Sequence, residues 1–157
     1  SLVSAAGEEN MRAYLNQALA EKERGYAHPF IVWDKEKQQY AGSTRFYDIQ
    51  LPFSSTQLGY TWYGKDFQGT GLNRHCKYLL LEYAFETLKL ERVEFRADNQ
   101  NARSIAAMKA IGCTVEGVLR SHLPKVGGGR RDSIILSILA DEWRERVKAN
   151  FPFQKKI

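Results

Sequence analysis

The segment Gln68-Gly69-Thr70-Gly71-Leu72-Asn73 carries the strongest signal in the chain, because a turn with two glycines leads directly into a helical pattern. The first N–H groups of a helix lack partners within it, and together with the helix dipole they favour a bound phosphate. Gly69 and Gly71 have no side chain that would keep an anion from the backbone. The segment therefore predicts a phosphate or pyrophosphate site at the start of a helix that ends near Leu88. The apolar face of that helix is predicted at Leu72, Cys76, Leu79, Leu80, Tyr83, Ala84 and Leu88.

Two common phosphate-binding motifs are absent from this turn. A dinucleotide site has the pattern Gly-x-Gly-x-x-Gly, and Arg74 occupies the position of the third glycine. A nucleoside-triphosphate loop has the pattern Gly-x-x-x-x-Gly-Lys-Ser/Thr, which this chain lacks. The glycines by themselves are also typical of an ordinary turn or helix cap. The residues alone therefore leave two interpretations open, a simple turn or an anion site of another kind.

Hydrophobic periodicity predicts a helix, three strands, a helix, a strand, a helix, two strands and a terminal helix. This order predicts an α/β mixed sheet rather than a doubly wound one. Gly42 is a candidate bulge, Gly112 a helix C-cap and Asp141 the cap of the terminal helix. The 157 residues are expected to form a single domain over 1–157. The predicted strands cover about residues 30–33, 40–47, 56–63, 93–97, 115–123 and 134–140.

The composition argues against a membrane protein and a secreted one. No apolar run is long enough to span a bilayer, and no charged n-region followed by an apolar stretch opens the chain. Cys76 and Cys113 are too few for a disulfide framework, and we expect both to pack as small apolar residues in a reducing compartment. The sequence therefore predicts a cytoplasmic protein without a membrane partner.

The charge and the histidines give little support to nucleic-acid or metal binding. The net charge is +5, but acidic residues are mixed with basic ones throughout, and no basic run carries interleaved aromatic residues. A modest basic excess also suits a ligand with several phosphates. His28, His75 and His122 are scattered along the chain and have no metal-ligand spacing. We therefore expect neither a nucleic-acid partner nor a metal site.

A series of motifs in one order makes the resemblance to a family specific. Gln68-x-x-Gly71 resembles the pyrophosphate-binding signature of the GNAT superfamily of acyl-CoA-dependent N-acyltransferases. The series is similar to the branch that contains the ribosomal-protein-alanine acetyltransferases, from about residue 30 to residue 143. This resemblance implies a mixed, mostly antiparallel sheet flanked by helices, and the opening strand and first helix of the usual fold are expected to be absent. The other matching segments are Leu58-Gly59-Tyr60-Thr61-Trp62, Asn101-x-x-Ser104, Gly112, Glu116-Gly117-Val118-Leu119-Arg120 and Arg131-Asp132-Ser133.

The resemblance implies acetyl-CoA as co-substrate and assigns residues to it. The strand before the glycine turn would pair its backbone with the pantetheine arm, Asn101 would hydrogen-bond the arm, and Ser104 would stabilise the leaving thiolate. Without the resemblance, Asn101 and Ser104 are simply favoured residues at a helix start. Tyr83 is expected to be structural. The predicted cofactor-binding residues are Thr61, Trp62, Tyr63, Gln68, Gly69, Thr70, Gly71, Leu72, Asn73, Arg74, Asn101 and Ser104, and the predicted catalytic residues are Ser104 and Gln57.

The general base is the point where the chain departs from the family pattern. Many relatives carry Glu two residues before the glycine that matches Gly59, and this chain has Gln57 there. A glutamine side chain cannot take a proton at neutral pH. The amine could lose its proton to water, to Asp48 or to Glu116, although Glu116 equally fits a residue that faces solvent.

Two classes of function follow from this sequence. The first is an N-acetyltransferase that moves an acetyl group directly, in a ternary complex, to a primary amine on a protein N-terminus, an amino acid or a small molecule. The second is a catalytically silent acyl-CoA-binding or sensing module, which the glutamine at position 57 makes conceivable. A homodimer is possible, since the apolar Phe151-Pro152-Phe153 tail is expected to dock on a neighbouring copy or on its own sheet.

Overall fold

The computed structural model describes residues 7–153, and its elements follow the predicted order. The first helix is followed by three strands, and the helix after the glycine turn continues through a π-helical turn at Tyr83–Thr87. A second π-helical turn, Trp143–Val147, extends the terminal helix. The bounds are α1 Glu8–Glu23, β1 Ala27–Asp34, β2 Gln39–Gln50, β3 Ser55–Tyr63, α2 Leu72–Glu82, β4 Arg92–Asp98, α3 Ala102–Ala110, β5 Thr114–Pro124, β6 Arg130–Leu139 and α4 Ala140–Glu142.

The six strands form one mixed sheet in the order β1-β2-β3-β4-β6-β5. Strands β3 and β4 are parallel, and every other neighbouring pair is antiparallel. The parallel pair arises because the chain crosses over through α2 between these two strands. The prediction of a mixed, mostly antiparallel sheet flanked by helices is confirmed.

Strands β3 and β4 pair over only three residues and then separate. The paired residues are Ser55, Thr56 and Gln57 with Arg92, Val93 and Glu94, although both strands continue beyond them. Strand β3 also carries a bulge against β2, because Ser43 pairs with Trp62 whereas Arg45 pairs with Gly59. Tyr60, within this bulge, has a φ of +49°. A bulge of this kind bends the strand and increases its twist, which directs the end of β3 away from β4.

The core lies between the sheet and the helices α2 and α3. Val93, Phe95 and Ala97 alternate as buried residues along β4, as the sequence predicted. Leu81 and Ala84 of the α2 region pack in the same cluster. These contacts anchor α2 on the sheet and thereby fix where its N-terminus lies relative to the gap between β3 and β4.

The predicted apolar face of α2 is partly wrong. Leu79, Tyr83 and Leu88 are exposed at 61%, 38% and 44%. Leu80 and Ala84 are buried as predicted, and Leu81 and Phe85 are buried although they were not predicted. Because α2 covers the sheet on one side only, its buried stripe is narrower than the apolar pattern, and residues at the margins face solvent. Tyr83 therefore does not face the core.

The predicted roles of Gly42 and Gly112 agree with the structure, but the predicted cap of the terminal helix does not. The register shift between β1 and β2 lies at the residue before Gly42, and a Cβ atom added at Gly42 would lie 2.1 Å from the Trp62 carbonyl oxygen. Only glycine permits this close approach of β2 and β3. Gly112 follows α3 with a φ of +100°, in the predicted C-terminal role. The cap prediction at Asp141 is wrong, because Leu139 precedes the helix and Asp141 lies in its first turn.

The C-terminal tail docks on helices of its own chain. Phe151 is buried against Tyr78 and Trp143, and Phe153 stacks on His75. The tail therefore covers α2 and the terminal helix rather than the sheet, and its apolar side chains are used within the chain. No helix among residues 7–153 combines the length and the apolar character needed to cross a bilayer.

Candidate active site

The gap between β3 and β4 opens into a cleft of about 990 Å³. One wall is β3, the opposite wall is β4 with the start of α3, and the glycine turn with the first residues of α2 lies at one end. Thr70 and Leu72 are the predicted site residues that do not line the cleft. Those that line it are Gln57, Thr61, Trp62, Tyr63, Gln68, Gly69, Gly71, Asn73, Arg74, Asn101 and Ser104.

The glycine turn has the backbone geometry of an anion site. Gly69 and Gly71 have φ values of +76° and +86°, in the left-handed region that glycine adopts without strain. Gly71, the N-cap residue of α2, has no side chain, and Thr70 Oγ1 accepts a hydrogen bond from the Leu72 N–H at 3.4 Å. The Thr70 hydroxyl donates to the Phe67 carbonyl oxygen at 2.9 Å, which turns this side chain toward its own backbone. Leu72 packs in a small apolar cluster beside the turn. Local contacts therefore keep the side chains of both Thr70 and Leu72 out of the cleft.

At the other end of the cleft, Gln57 is held by Asp48. The Gln57 Nε2 atom donates to Asp48 Oδ2 at 2.7 Å. Gln57 is only 6% exposed, and its Oε1 atom is buried without a hydrogen-bond partner among the described residues. Asp48 holds the amide nitrogen, so a rotation that brought the Oε1 atom to another donor would break this hydrogen bond. The site therefore presents a buried oxygen that a ligand N–H group can satisfy.

Asp48 is an exposed carboxylate with an unusual backbone conformation. Its φ is +48°, and it lies where the register between β2 and β3 shifts. Its Oδ1 atom accepts a hydrogen bond from Gln50 Nε2 at 2.8 Å. Burial raises the pKa of the adjacent Tyr47 phenol to about 12, so this tyrosine stays protonated at neutral pH. Asp48 is therefore the carboxylate at this end of the cleft that touches the side chain of Gln57.

Asn101 and Ser104 lie together at the start of α3 and face the cleft. Asn101 Oδ1 accepts a hydrogen bond from the Ser104 backbone N–H at 3.0 Å, so Asn101 caps the helix. Neither the Asn101 side-chain nitrogen nor the Ser104 hydroxyl has a partner among residues 7–153. Capping thus uses the Asn101 Oδ1 atom and the Ser104 backbone N–H, and it leaves both side-chain donors available in the cleft.

Glu116 lies on β5, outside the cleft. Its carboxylate accepts hydrogen bonds from both terminal nitrogens of Arg92 and from the Ser137 hydroxyl. The Arg92 guanidinium holds the pKa of Glu116 below its usual range. A carboxylate engaged in this way on another strand cannot reach an amine in the cleft, so Glu116 is excluded as the base.

The structure adds Lys77 to the cleft, a residue that the sequence analysis missed. It lies on α2, is 9% exposed, and its Nζ atom donates to Thr61 Oγ1 at 3.1 Å. Burial lowers the pKa of this ammonium to about 8. The available signal was its position, three and four residues before Leu80 and Leu81, which places a lysine on the buried stripe of the helix.

Comparison with known proteins agrees with this geometry. The family profile of the acetyltransferase (GNAT) domain matches residues 4–114. The chain belongs to the GNAT acetyltransferase family. A solved GCN5-related N-acetyltransferase from Brucella melitensis is 25% identical to this GNAT chain, with a TM-score of 0.82, and the match covers 92% of this chain and 64% of the other. The family and fold implied by the motifs are thereby confirmed.

Curated relatives of this GNAT chain carry N-acetyltransferase names. An uncharacterised N-acetyltransferase, p20 of Bacillus licheniformis, is 28% identical over 119 residues, which is 76% of this chain and 66% of the relative. YdaF of Bacillus subtilis strain 168, provisionally named a ribosomal N-acetyltransferase, is 38% identical over 102 residues, which is 65% of this chain and 55% of the relative. The matches thus span less than two thirds of each relative.

Proposed function

We propose that this protein is an acetyl-CoA-dependent N-acetyltransferase that transfers the acetyl group directly to a primary amine in a ternary complex. One observation carries the proposal. Strand β3 leaves β4 after Gln57, and the resulting cleft runs from a buried, orphaned amide oxygen to a helix N-terminus suited to an anion. A cleft with these two ends fits an amine and a phosphate-bearing acyl donor.

The coenzyme is assigned to the end formed by the glycine turn and α2. Backbone N–H groups of residues 69–74 would hold the pyrophosphate, assisted by the helix dipole and by the charge of Arg74. The backbone of β3 at residues 61–63 has no ladder partner on β4, so it can pair with the amide groups of the pantetheine arm. The free nitrogen of the Asn101 side chain would donate to the same arm.

Ser104 is assigned to the leaving thiolate. Acyl transfer from a thioester requires that charge on the departing sulfur be stabilised or protonated. The Ser104 hydroxyl lines the cleft and has no partner among the described residues, so it is available as a donor. A serine hydroxyl is too weakly acidic to give up its own proton readily, and it would act by hydrogen bonding or by relaying a proton from water.

The acceptor amine is assigned to the end that Asp48 and Gln57 form. The Gln57 Oε1 atom would accept an N–H of the amine and orient its lone pair, because its own nitrogen is fixed by Asp48. Gln57 cannot remove the proton, whereas the carboxylate of Asp48, which contacts Gln57, would do so directly or through one water. We therefore propose that Gln57 orients the amine and Asp48 receives its proton.

A protein N-terminus is the first acceptor to test, because the relative YdaF is named for ribosomal substrates. Release of free coenzyme thiol should be measured with acetyl-CoA and a panel of N-terminal peptides, free amino acids and small amines. Thiol release above background that requires both the protein and one amine class is expected. Release that is independent of every amine would contradict the assignment of an acetyl acceptor.

The second candidate is a module that binds acyl-CoA without turnover. It is favoured by the amide at position 57 and by the engagement of both Asp48 oxygens with glutamine side chains. Coenzyme binding cannot distinguish the two functions, since both require it. Tight coenzyme binding with no thiol release across the whole amine panel would select the silent module.

A further inference from the structure

Lys77 places a buried ammonium group between the two diverging strands. Its Nζ atom contacts Thr61 Oγ1 on β3 at 3.1 Å and lies 5.5 Å from the centre of the Phe95 ring on β4. Both residues lie beyond the point where β3 and β4 stop pairing. The lysine also lines the cleft, so its ammonium borders the gap as well as the core residue Phe95.

The surroundings of this ammonium do not balance its charge. Among residues 7–153, no carboxylate forms an ion pair with Lys77. An ammonium group has three donors, and within the described part of the chain only the Thr61 hydroxyl accepts one of them. That hydroxyl is shared with Thr44, whose Oγ1 atom lies 2.8 Å away. Burial of an ammonium with unused donors is unfavourable, which indicates that a ligand supplies the missing acceptors.

We propose that Lys77 is a coenzyme-binding residue whose ammonium donates to a carbonyl oxygen of the amide-bearing arm. This inference rests on the proposed function, because it takes the cleft to hold acetyl-CoA. The lysine is six residues beyond Gly71, which is about 9 Å along the helix from the turn assigned to the pyrophosphate. That separation places the ammonium beside the arm, whose amide and thioester carbonyl oxygens are suitable acceptors.

The test compares two ligands that share the phosphates but not the arm. Affinities of coenzyme A and adenosine 3′-phosphate 5′-diphosphate are measured by calorimetry for the parent protein and for Lys77→Met. The substitution is expected to weaken coenzyme A binding by roughly 10- to 100-fold, the range for a hydrogen bond to a charged group. Affinity for the armless nucleotide should change by no more than about 3-fold.

Two further variants separate a contact with the ligand from a structural role. Lys77→Gln keeps an N–H donor without the charge and should recover part of the coenzyme A affinity. Lys109→Met makes the same change at an exposed lysine on α3 and should bind both ligands like the parent. The melting temperature of Lys77→Met should equal or exceed that of the parent, since the substitution removes an unpaired buried charge.

The outcomes distinguish this inference from the proposed function. Equal weakening of both ligands by Lys77→Met would show that the lysine acts through the start of α2, and unchanged affinity for both would show that it touches neither; either result overturns the inference alone. Failure of the parent protein to bind coenzyme A would overturn the inference together with the proposed function.

Discussion

The two ends of the cleft are built in different ways. At the end assigned to the coenzyme pyrophosphate, one continuous segment supplies the proposed groups, and most of them are backbone N–H groups of residues 69–74. At the acceptor end, Asp48 comes from β2 and Gln57 from β3, and a backbone irregularity brings them together. The first end depends on a local conformation, whereas the second depends on how two strands are aligned. The comparison teaches that an end built from backbone is predicted as one local motif, whereas at the end built from side chains the sequence indicated Gln57 but not its contact with Asp48.

The largest expected effect tests the backbone end. Gly71→Asp places a carboxylate where the phosphate is expected and adds a side chain at a φ of +86°. We expect affinity for coenzyme A to fall by more than about 100-fold, through charge repulsion and loss of the turn geometry. Gly128→Asp is the matched control, because Gly128 also has a positive φ, of +103°, but lies in the loop between β5 and β6. Calorimetry would contradict the assignment if the two variants bound equally well.

Ser104→Ala tests whether a side chain at the coenzyme end acts in the reaction. Turnover should fall by roughly 10- to 100-fold, on the order of 1.4–2.7 kcal/mol in the barrier, while coenzyme affinity changes little. The cap of α3 uses the Ser104 backbone N–H, so the melting temperature should stay near that of the parent. Asn101→Ala, which removes the cap acceptor, should instead lower stability by about 1 kcal/mol. Near-parental turnover of Ser104→Ala would remove this residue from the mechanism.

Lys77, which lies between the two ends, is expected to make the free energy of unfolding depend on pH. Its pKa falls to about 8 in the folded protein, below the ordinary value of 10.5. Between these values the unfolded chain binds the proton and the folded chain does not, so the contribution of Lys77 to stability rises with pH. Relative to Lys77→Met, the parent should gain on the order of 1–2 kcal/mol between pH 7 and pH 9.5. Denaturant unfolding of both proteins at several pH values measures this difference. The prediction would be contradicted if their free energies of unfolding changed by the same amount with pH.

The smallest expected effect tests the acceptor end. Gln57→Glu places a second carboxylate beside Asp48, and the repulsion should raise the pKa of the pair. We expect turnover near neutral pH to be preserved or increased by up to about 10-fold, because a carboxylate would then contact the amine directly. Asp48→Asn should lower turnover of the parent. A large loss in Gln57→Glu with intact coenzyme binding would show that the amide of Gln57 is needed to orient the substrate.

The sequence predicted the features that depend on local pattern. The alternation of Val93, Phe95 and Ala97 gave β4, and the glycine turn gave the start of α2, because both follow from neighbouring residues. Gln57 was identified through the family resemblance, because many relatives carry Glu two residues before the glycine that matches Gly59. Its contact with Asp48 was not predicted, because the register shift between β2 and β3 that brings them together leaves no mark in the apolar pattern.

The long-range contacts were the harder part. Lys77 was overlooked because a lysine on a helix is usually solvated, and its low exposure and its contact with Thr61 emerge only from the folded structure. The position of Glu116 depended on which strand it would pair with, and Arg92 of β4 proved to be its partner. These outcomes rest on tertiary contacts between distant segments, which no periodicity within one segment encodes.

The bulge at Tyr60 inverts which side chains of β3 face the helices. Gly59 pairs with Arg45 and Trp62 with Ser43, so three steps along β3 match two steps along β2. Side chains of a regular strand alternate, and an inserted residue inverts the alternation beyond it. Gln57 therefore points to one side of the sheet, and Thr61, which would share that side in a regular strand, points to the helix side and meets Lys77. A single extra residue would thus let one strand serve the two proposed reactants from opposite faces.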